Sequence, residues 1–195
     1  MIPDVAILRT AYLSCYSRSY TTGSFRSTPR CRGQDEPPAS KMITIYTIGH
    51  SSHPAEGFLA LLHRHGIELL VDVRSSPYSR YVPQANREAL ARALAADGIS
   101  YRWLGDRLGG KPEGVVADYD ELRASPAFQQ GIDELMVLAA ERRTAIMCSE
   151  GDHRQCHRYK LITPVLVDRG VQVVHIQPDG SLVGEAEQPR QLTLF

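Results

Sequence analysis

The stretch IELLVDV, residues 67–73, decides the fold of this chain. Five of its seven residues are aliphatic, and they do not alternate with polar residues as in a strand that has one face in water. A near-continuous apolar run of this length is typical of a strand in a parallel sheet that helices cover on both faces. The stretch therefore predicts an interior strand of an α/β protein.

Strands and helices alternate along the chain on both sides of this stretch. Four more strands are predicted, at residues 43–48, 99–104, 144–148 and 171–176. Helices are predicted at residues 54–66, 84–97, 126–142 and 156–168, with a kink at Pro164 and a flexible loop at 105–114. Because such alternation builds layered sheets, we expect a three-layer α/β/α fold with a mostly parallel central sheet of about five strands.

The composition divides the chain into one domain and two ends. Residues 42–177 are predicted to form a single α/β domain, since 195 residues suffice for one well-buried core. Residues 1–41 are rich in Ser, Thr, Arg and Pro, which predicts a disordered extension or a targeting peptide. A start assigned too early, with Met42 as the true initiator, is the favoured explanation. Residues 178–190 are predicted to be a flexible linker before a tail peptide at 191–195.

Charge and cysteine content narrow the range of functions. The chain has 22 basic and 22 acidic residues, so any binding to nucleic acid would need a local basic patch. No apolar run approaches the length of a membrane span. The four cysteines do not form a dense disulfide framework, which favours a reducing compartment and a cytoplasmic protein.

Reactive and charged side chains cluster after the predicted strands, where ligands bind in open parallel sheets. The candidates after the first and second strands are His50, Asp72, Arg74, Ser75, Tyr78 and Arg80. The candidates after the fourth strand are Cys148, Glu150, Cys156, His157 and Arg158. We expect these side chains to converge at one edge of the sheet.

Thiol and acid–base chemistry is the first interpretation of this set. A thiolate at Cys148 would need a lowered pKa, which neighbouring cations and a helix N-terminus would provide; a buried, inert cysteine is the alternative. Glu150 or His157 would act as general acid or base. The predicted catalytic residues are Cys148, Glu150, His157, His50 and Asp72, with Asp72 also expected to orient Arg74. The predicted residues for an anionic, phosphate-rich substrate are Arg74, Arg80, Arg158, Ser75 and Tyr78.

Metal binding is the second interpretation. Cys148, Cys156 and His157, with His50 from the first strand, would form a set of two cysteines and two histidines that zinc accepts. The spacing is not that of a common zinc motif, so this interpretation ranks below thiol chemistry and the cofactor is left unassigned. Cys148 and Arg154 have the spacing of cysteine-dependent phosphatases, but the acidic segment SEGD between them would repel an oxyanion.

Four motifs carry a resemblance to a known family. They are TIGHSSHPAEGF at 47–58, LLVDVRSSPYSRYVPQ at 69–84, GISYRWLGDRLGG at 98–110 and MCSEGDHRQCHRYKLI at 147–162. In this order they resemble the bacterial family known as domain of unknown function 488, over roughly residues 43–176. The resemblance implies a three-layer α/β fold and a site built from these motifs, and it implies no particular reaction.

The chain ends on QLTLF, residues 191–195, behind a polar stretch. This peptide resembles the pentapeptide by which many bacterial replication and repair proteins dock on the DNA sliding clamp. The resemblance implies that Gln191, Leu192, Leu194 and Phe195 fill an apolar pocket of the clamp, as short linear peptides do. Thr193 stands where Ser or Asp is more usual.

These observations together predict an enzyme of bacterial DNA maintenance that acts on nucleic acid or a nucleotide. The sliding clamp, through the tail peptide, and DNA are the expected partners, and no membrane partner is expected. A non-catalytic DNA-repair adaptor and a thiol- or metal-dependent enzyme on a small molecule, with zinc as the candidate ion, are the alternatives.

Overall fold

The computed structural model describes residues 42–111 and 118–185. The strands in these ranges are β1 Thr44–Gly49, β2 Leu69–Asp72, β3 Ser100–Trp103, β4 Thr144–Cys148, β5 Gln172–Ile176 and β6 Leu182–Gly184. They form one sheet in the order β3-β2-β4-β1-β5-β6. β1 to β5 pair in parallel and β6 is antiparallel to β5. The predicted α/β class and the mostly parallel sheet are therefore confirmed.

Helices cover both faces of this sheet. They are α1 Ala55–Arg64, α2 Arg87–Ala96, α3 Gly105–Leu108, α4 Tyr119–Ala124, α5 Pro126–Glu141 and α6 Thr163–Asp168. One core joins the apolar sides of α1 and α2 to strand residues such as Ile48 and Leu70. The other joins α5 and α6 to the alternate strand residues, such as Val71 and Ile146. We refer to these sides as the α1–α2 face and the α5–α6 face. None of the described helices has the length and apolar character that crossing a bilayer requires.

The sheet extends beyond the expected boundary at residue 177. The Gln177 amide donates to the Ser181 carbonyl across a turn in which Gly180 has φ +81°. The chain therefore reverses and pairs β6 with β5, although residues 178–190 were predicted to be a linker. The sequence gives no apolar signal here because all three β6 residues are exposed at the sheet edge.

Two short helices also differ from the expectation. α3 occupies the start of the predicted flexible loop at 105–114, where Leu108 anchors it in the α5–α6 core. α4 was not predicted, because six residues are too few to show a helical period. The predictions for residues 1–41 and for the tail at 191–195 concern residues outside the described ranges.

The predicted kink at Pro164 takes the form of a π-helical turn over Arg158–Ile162 that leads into α6. The Thr163 amide and the Thr163 hydroxyl both donate to the Arg158 carbonyl, five residues back. Pro164 has no N–H for the Lys160 carbonyl, and the Arg123 guanidinium donates to that carbonyl instead. The widened turn holds Arg158 close to the loop that follows β4.

The close approach between Gly49, at the end of β1, and the loop that follows β4 generates the first prediction. A Cβ on Gly49 would lie 1.8 Å from the Glu150 carbonyl oxygen, so we expect Gly49→Ala to lower the free energy of unfolding by about 1–3 kcal/mol. In α1, a Cβ on Gly57 would meet only the Pro54 Cδ at 3.7 Å, so Gly57→Ala is expected to add about 0.5–1 kcal/mol. Urea denaturation measures both; equal values for the two variants would contradict the close approach.

Candidate functional site

The structure divides the predicted site residues between two clusters. Both lie where β1, β2 and β4 end at one edge of the sheet. Asp72 stands between Val71 and Val73, which belong to the α5–α6 core, so its carboxylate lies on the α1–α2 face. Cys148 belongs to the α5–α6 core. The sheet thus separates two sets of side chains that were expected to converge.

The first set, the Asp72 cluster, consists of Asp72, Arg74, His50 and Tyr101. Arg74 donates to Asp72 Oδ1 from Nε at 2.9 Å and to Oδ2 from Nη2 at 2.6 Å, and both side chains are buried. The Arg74 amide and the Tyr101 hydroxyl donate to the same carboxylate, at 3.0 and 2.8 Å. Burial and then the Asp72 charge raise the pKa of Tyr101, so its hydroxyl remains a donor. The carboxylate is fully engaged inside the protein.

His50 is held in this cluster as a neutral imidazole. Its Nε2 accepts from Arg74 Nη1 at 3.1 Å, because a guanidinium only donates. The proton is therefore on Nδ1, which donates to the Ser51 carbonyl at 2.8 Å, and Ser51 has a left-handed φ of +46°. Burial, and next the Arg74 charge, lower the pKa of His50. With both nitrogens occupied, His50 and Asp72 position the Arg74 guanidinium.

The second set, the Cys148 cluster, consists of Cys148, Cys156, His157 and Arg158. His157 Nδ1 lies 3.4 Å from Cys148 Sγ and 3.8 Å from Cys156 Sγ. The other ring nitrogen, Nε2, lies 3.0 Å from the Val73 carbonyl oxygen and must donate to it, which leaves the Nδ1 lone pair facing the sulfurs. Both cysteines are buried with free thiols, and His157 is half-buried.

The two thiols perturb each other. The hydrogen bond from Cys148 is the main cause that lowers the pKa of Cys156; burial opposes this shift, and the Arg158 charge adds to it. The same hydrogen bond, and then burial, raise the pKa of Cys148, which is the opposite of the shift that a thiolate at Cys148 would need; the sulfur whose pKa is lowered is that of Cys156. The two thiols therefore lie close enough to shift each other's pKa in opposite directions, beside the buried cation Arg158.

That cation is Arg158, whose side chain is completely buried. Its Nη1 donates to the Glu150 carbonyl at 2.6 Å and its Nη2 to the Gly151 carbonyl at 3.1 Å. Its Nε is buried without a hydrogen-bond partner, and no carboxylate among the described residues forms an ion pair with it. A buried charge without a carboxylate partner is unfavourable, and the Arg158 charge in turn lowers the pKa of the nearby Cys156 thiol.

Ser75 and Glu150 adjoin the clusters through their loops. Ser75 Oγ accepts from the Lys111 amide at 3.1 Å, and a Cβ added to Gly109 would lie 2.2 Å from this oxygen. The Glu150 carbonyl is held by Arg158, whereas the Glu150 side chain is exposed and forms no hydrogen bond with the described residues. Its carboxylate therefore points to solvent beside the Cys148 cluster.

Tyr78 and Arg80 lie in the exposed loop that follows β2. Tyr78 and its neighbour Tyr81 are 72% and 79% exposed, and the Arg80 guanidinium lies over the Tyr81 ring. Arg154 binds Asp152 on the surface, with 70% of its side chain exposed, so it does not complete a phosphatase-like anion loop around Cys148.

Sequence reasoning missed three contributors to the site. Tyr101 pairs with Leu70, which lies two residues before Asp72 and so faces the same side of the sheet. The alternation of side chains along β2 and β3 is the sequence signal that would have identified Tyr101. The Trp103 indole donates to the Arg74 carbonyl at 3.0 Å. Gly110 packs against His157, where an added Cβ would lie 2.5 Å from the histidine Cβ.

A further polar group lies at the end of β5. His175 bonds to Thr47 Oγ1 at 2.7 Å and to Glu185 Oε1 at 3.0 Å, and its ring stacks on His153 at 4.1 Å with an angle of 11°. Burial, and then His153 and Arg158, lower the pKa of His175 to about 3. Because a metal ion binds in the plane of an imidazole ring, two nearly parallel stacked rings do not direct their lone pairs at one ion. We interpret this group as a neutral structural pair.

The fold and the Cys148 cluster define an α/β protein with a candidate thiol–imidazole centre at the carboxyl edge of its sheet. The family model described as "Domain of unknown function DUF488" matches residues 54–163, more than half of the chain. The chain therefore belongs to this family, as the sequence motifs predicted. No curated protein matches the chain.

The buried ion pair generates the second prediction. Asp72→Asn leaves the Arg74 guanidinium buried without a counter-charge, so we expect the free energy of unfolding to fall by about 3–5 kcal/mol. The control is Asp120→Asn, which removes an exposed partner of Arg123 and is expected to change stability by less than about 0.5 kcal/mol. Urea denaturation measures both variants, and a similar small effect at both positions would refute the assignment.

Proposed function

We propose that this protein is an enzyme of DNA maintenance that acts on nucleic acid or a nucleotide at the Cys148 cluster. The observation that carries the proposal is the convergence of two sulfurs and one imidazole nitrogen at the carboxyl edge of a parallel sheet. Ligands and reactive groups meet at this edge in open α/β sheets. The Asp72 cluster is saturated internally and supports the edge from the other face.

The role of each residue follows from the atoms that its side chain leaves available to a substrate. Cys148 supplies sulfur next to the imidazole of His157. Glu150 is an exposed carboxylate in the loop that follows Cys148, and it acts as the general acid or base toward a substrate that approaches from solvent. Arg158 is committed to the Glu150 and Gly151 carbonyls, so it shapes this loop and contributes positive charge without direct contact.

The exposed loop after β2 supports nucleic acid as the substrate class. Tyr78 and Tyr81 present large aromatic surfaces to solvent, and Arg80 lies between them in sequence. Aromatic rings and arginines of this kind stack on bases and hold phosphates in proteins that bind single strands. The loop begins at Arg74, next to the Val73 carbonyl that orients His157.

The third prediction tests the reaction centre. The full chain is incubated with labelled single-stranded DNA, duplex DNA and nucleotides, and the products are resolved by mass spectrometry. We expect Cys148→Ala, His157→Ala and Glu150→Ala each to lower the rate by at least about 100-fold, since each removes a reacting or proton-transferring group. Arg154→Ala is the control, because this exposed arginine binds only Asp152 among the described residues.

Unchanged turnover in Cys148→Ala and Glu150→Ala would contradict the site. A wild-type protein that binds these substrates without changing them would favour the non-catalytic adaptor.

We also propose that the protein docks on the bacterial sliding clamp through QLTLF, residues 191–195, in the cytoplasm. The sequence carries this proposal: Gln191, Leu192, Leu194 and Phe195 have the order of a clamp-binding peptide. A short peptide of this kind concentrates its affinity in two or three anchor side chains. Tethering would raise the effective concentration of the α/β domain at replicated or repaired DNA.

The fourth prediction measures this tether by titration calorimetry of the full chain with a bacterial sliding clamp. Phe195→Ala removes the aromatic side chain that would fill the clamp pocket, so we expect the Kd to rise at least about 30-fold, corresponding to a hot-spot residue of about 2 kcal/mol. Gln188→Ala, three residues before the peptide, is the control and should bind as the wild type does. Equal affinity for both variants, or no binding by the wild type, would reduce the tail to a chance resemblance.

A further inference from the structure

The geometry around His157 is that of a metal site rather than of a single hydrogen bond. Its Nδ1 lone pair can accept only one S–H, yet Cys148 Sγ and Cys156 Sγ both approach it, at 3.4 and 3.8 Å. The three donor atoms all lie within 4.8 Å of one another. One small cation at their centre would satisfy all three donors at once.

The distances match the edges of a zinc tetrahedron. Zinc binds sulfur at about 2.3 Å and nitrogen at about 2.0–2.1 Å, so tetrahedral angles place a sulfur and a nitrogen ligand about 3.6 Å apart. The two observed separations, 3.4 and 3.8 Å, lie on either side of this value. Two thiolates and an imidazole also select zinc-like ions over magnesium or calcium, which prefer oxygen ligands.

The surroundings of His157 orient it as a ligand. Its Nε2 donates to the Val73 carbonyl, which fixes the tautomer and aims Nδ1 at the sulfurs. Metal-binding histidines commonly donate their second N–H to a carbonyl in this way. Gly110 permits the ring to lie here, since a Cβ at that position would come within 2.5 Å of the His157 Cβ.

We propose that Cys148, Cys156 and His157 bind one zinc ion and leave its fourth position for water or substrate. His50, the fourth ligand that the sequence suggested, lies in the Asp72 cluster with both ring nitrogens engaged. Three protein ligands with one open position are typical of catalytic zinc sites, whereas structural sites have four. The role of this ion in catalysis rests on the proposed function, whereas its binding does not.

The fifth prediction measures zinc in the purified full chain by mass spectrometry of the metal, before and after reconstitution with zinc alone. We expect about one zinc per wild-type chain and a loss of at least tenfold in Cys148→Ser, Cys156→Ser and His157→Gln. The double variant Cys15→Ser, Cys31→Ser controls for the loss of cysteines outside the proposed site. His153→Gln controls for the loss of a histidine in the stacked pair. Both controls should keep one zinc.

Cobalt keeps the test decisive if a ligand variant fails to fold. Cobalt(II) added to the metal-free wild type should give the intense absorption of tetrahedral cobalt and a thiolate-to-cobalt band, and zinc should displace both. Less than one tenth of an equivalent of zinc in the reconstituted wild type, or full zinc in folded Cys156→Ser, would overturn the site. Bound zinc in a protein that is inactive on both nucleic acid and nucleotides would sustain the site and refute the proposed function. Activity in a wild-type protein that takes up no zinc on reconstitution would refute the site and sustain the proposed function.

Discussion

The ion pair between Asp72 and Arg74 fixes the edge of the sheet on which both clusters depend. Burying two charges is unfavourable unless each is fully bonded, and here the carboxylate accepts from Arg74 and Tyr101 while the guanidinium also donates to His50. The backbone of the same segment holds the other face, because the Val73 carbonyl accepts from His157. A displacement of the segment 72–74 would therefore disturb both sides of the sheet.

The two clusters differ in how many of their polar atoms lack a hydrogen-bond partner. This difference distinguishes a supporting cluster from one that can bind a ligand. In the Asp72 cluster every polar atom of the carboxylate and imidazole has a partner inside the protein. In the Cys148 cluster two sulfurs compete for one nitrogen, and Arg158 has a buried Nε without a partner. A group of donors with too few partners is suited to binding something further, such as an ion or a substrate.

The sequence predicted the sheet well because its signal is local. β4 was predicted with its observed bounds, and the other parallel strands within one or two residues, since buried apolar runs determine them. β6 was missed because its exposed residues carry no such signal. The site was predicted as a set of residues but not as two groups, because the side of the sheet depends on strand alternation: Asp72 and Cys148 end neighbouring strands yet face opposite layers.

The departures from regular structure concentrate at this same edge. Ser51 has a left-handed backbone beside His50, Gly49 admits the Glu150 carbonyl, and the helix after His157 opens with a π-helical turn. A left-handed backbone at a non-glycine residue and a π-helical turn each lower stability, and such features persist where the surrounding structure fixes them. These features share one effect: they bring the loops after β1 and β4 together and hold Cys148 next to His157. A purely structural sheet edge would not need this arrangement, which supports the proposal that the chemistry takes place at the Cys148 cluster.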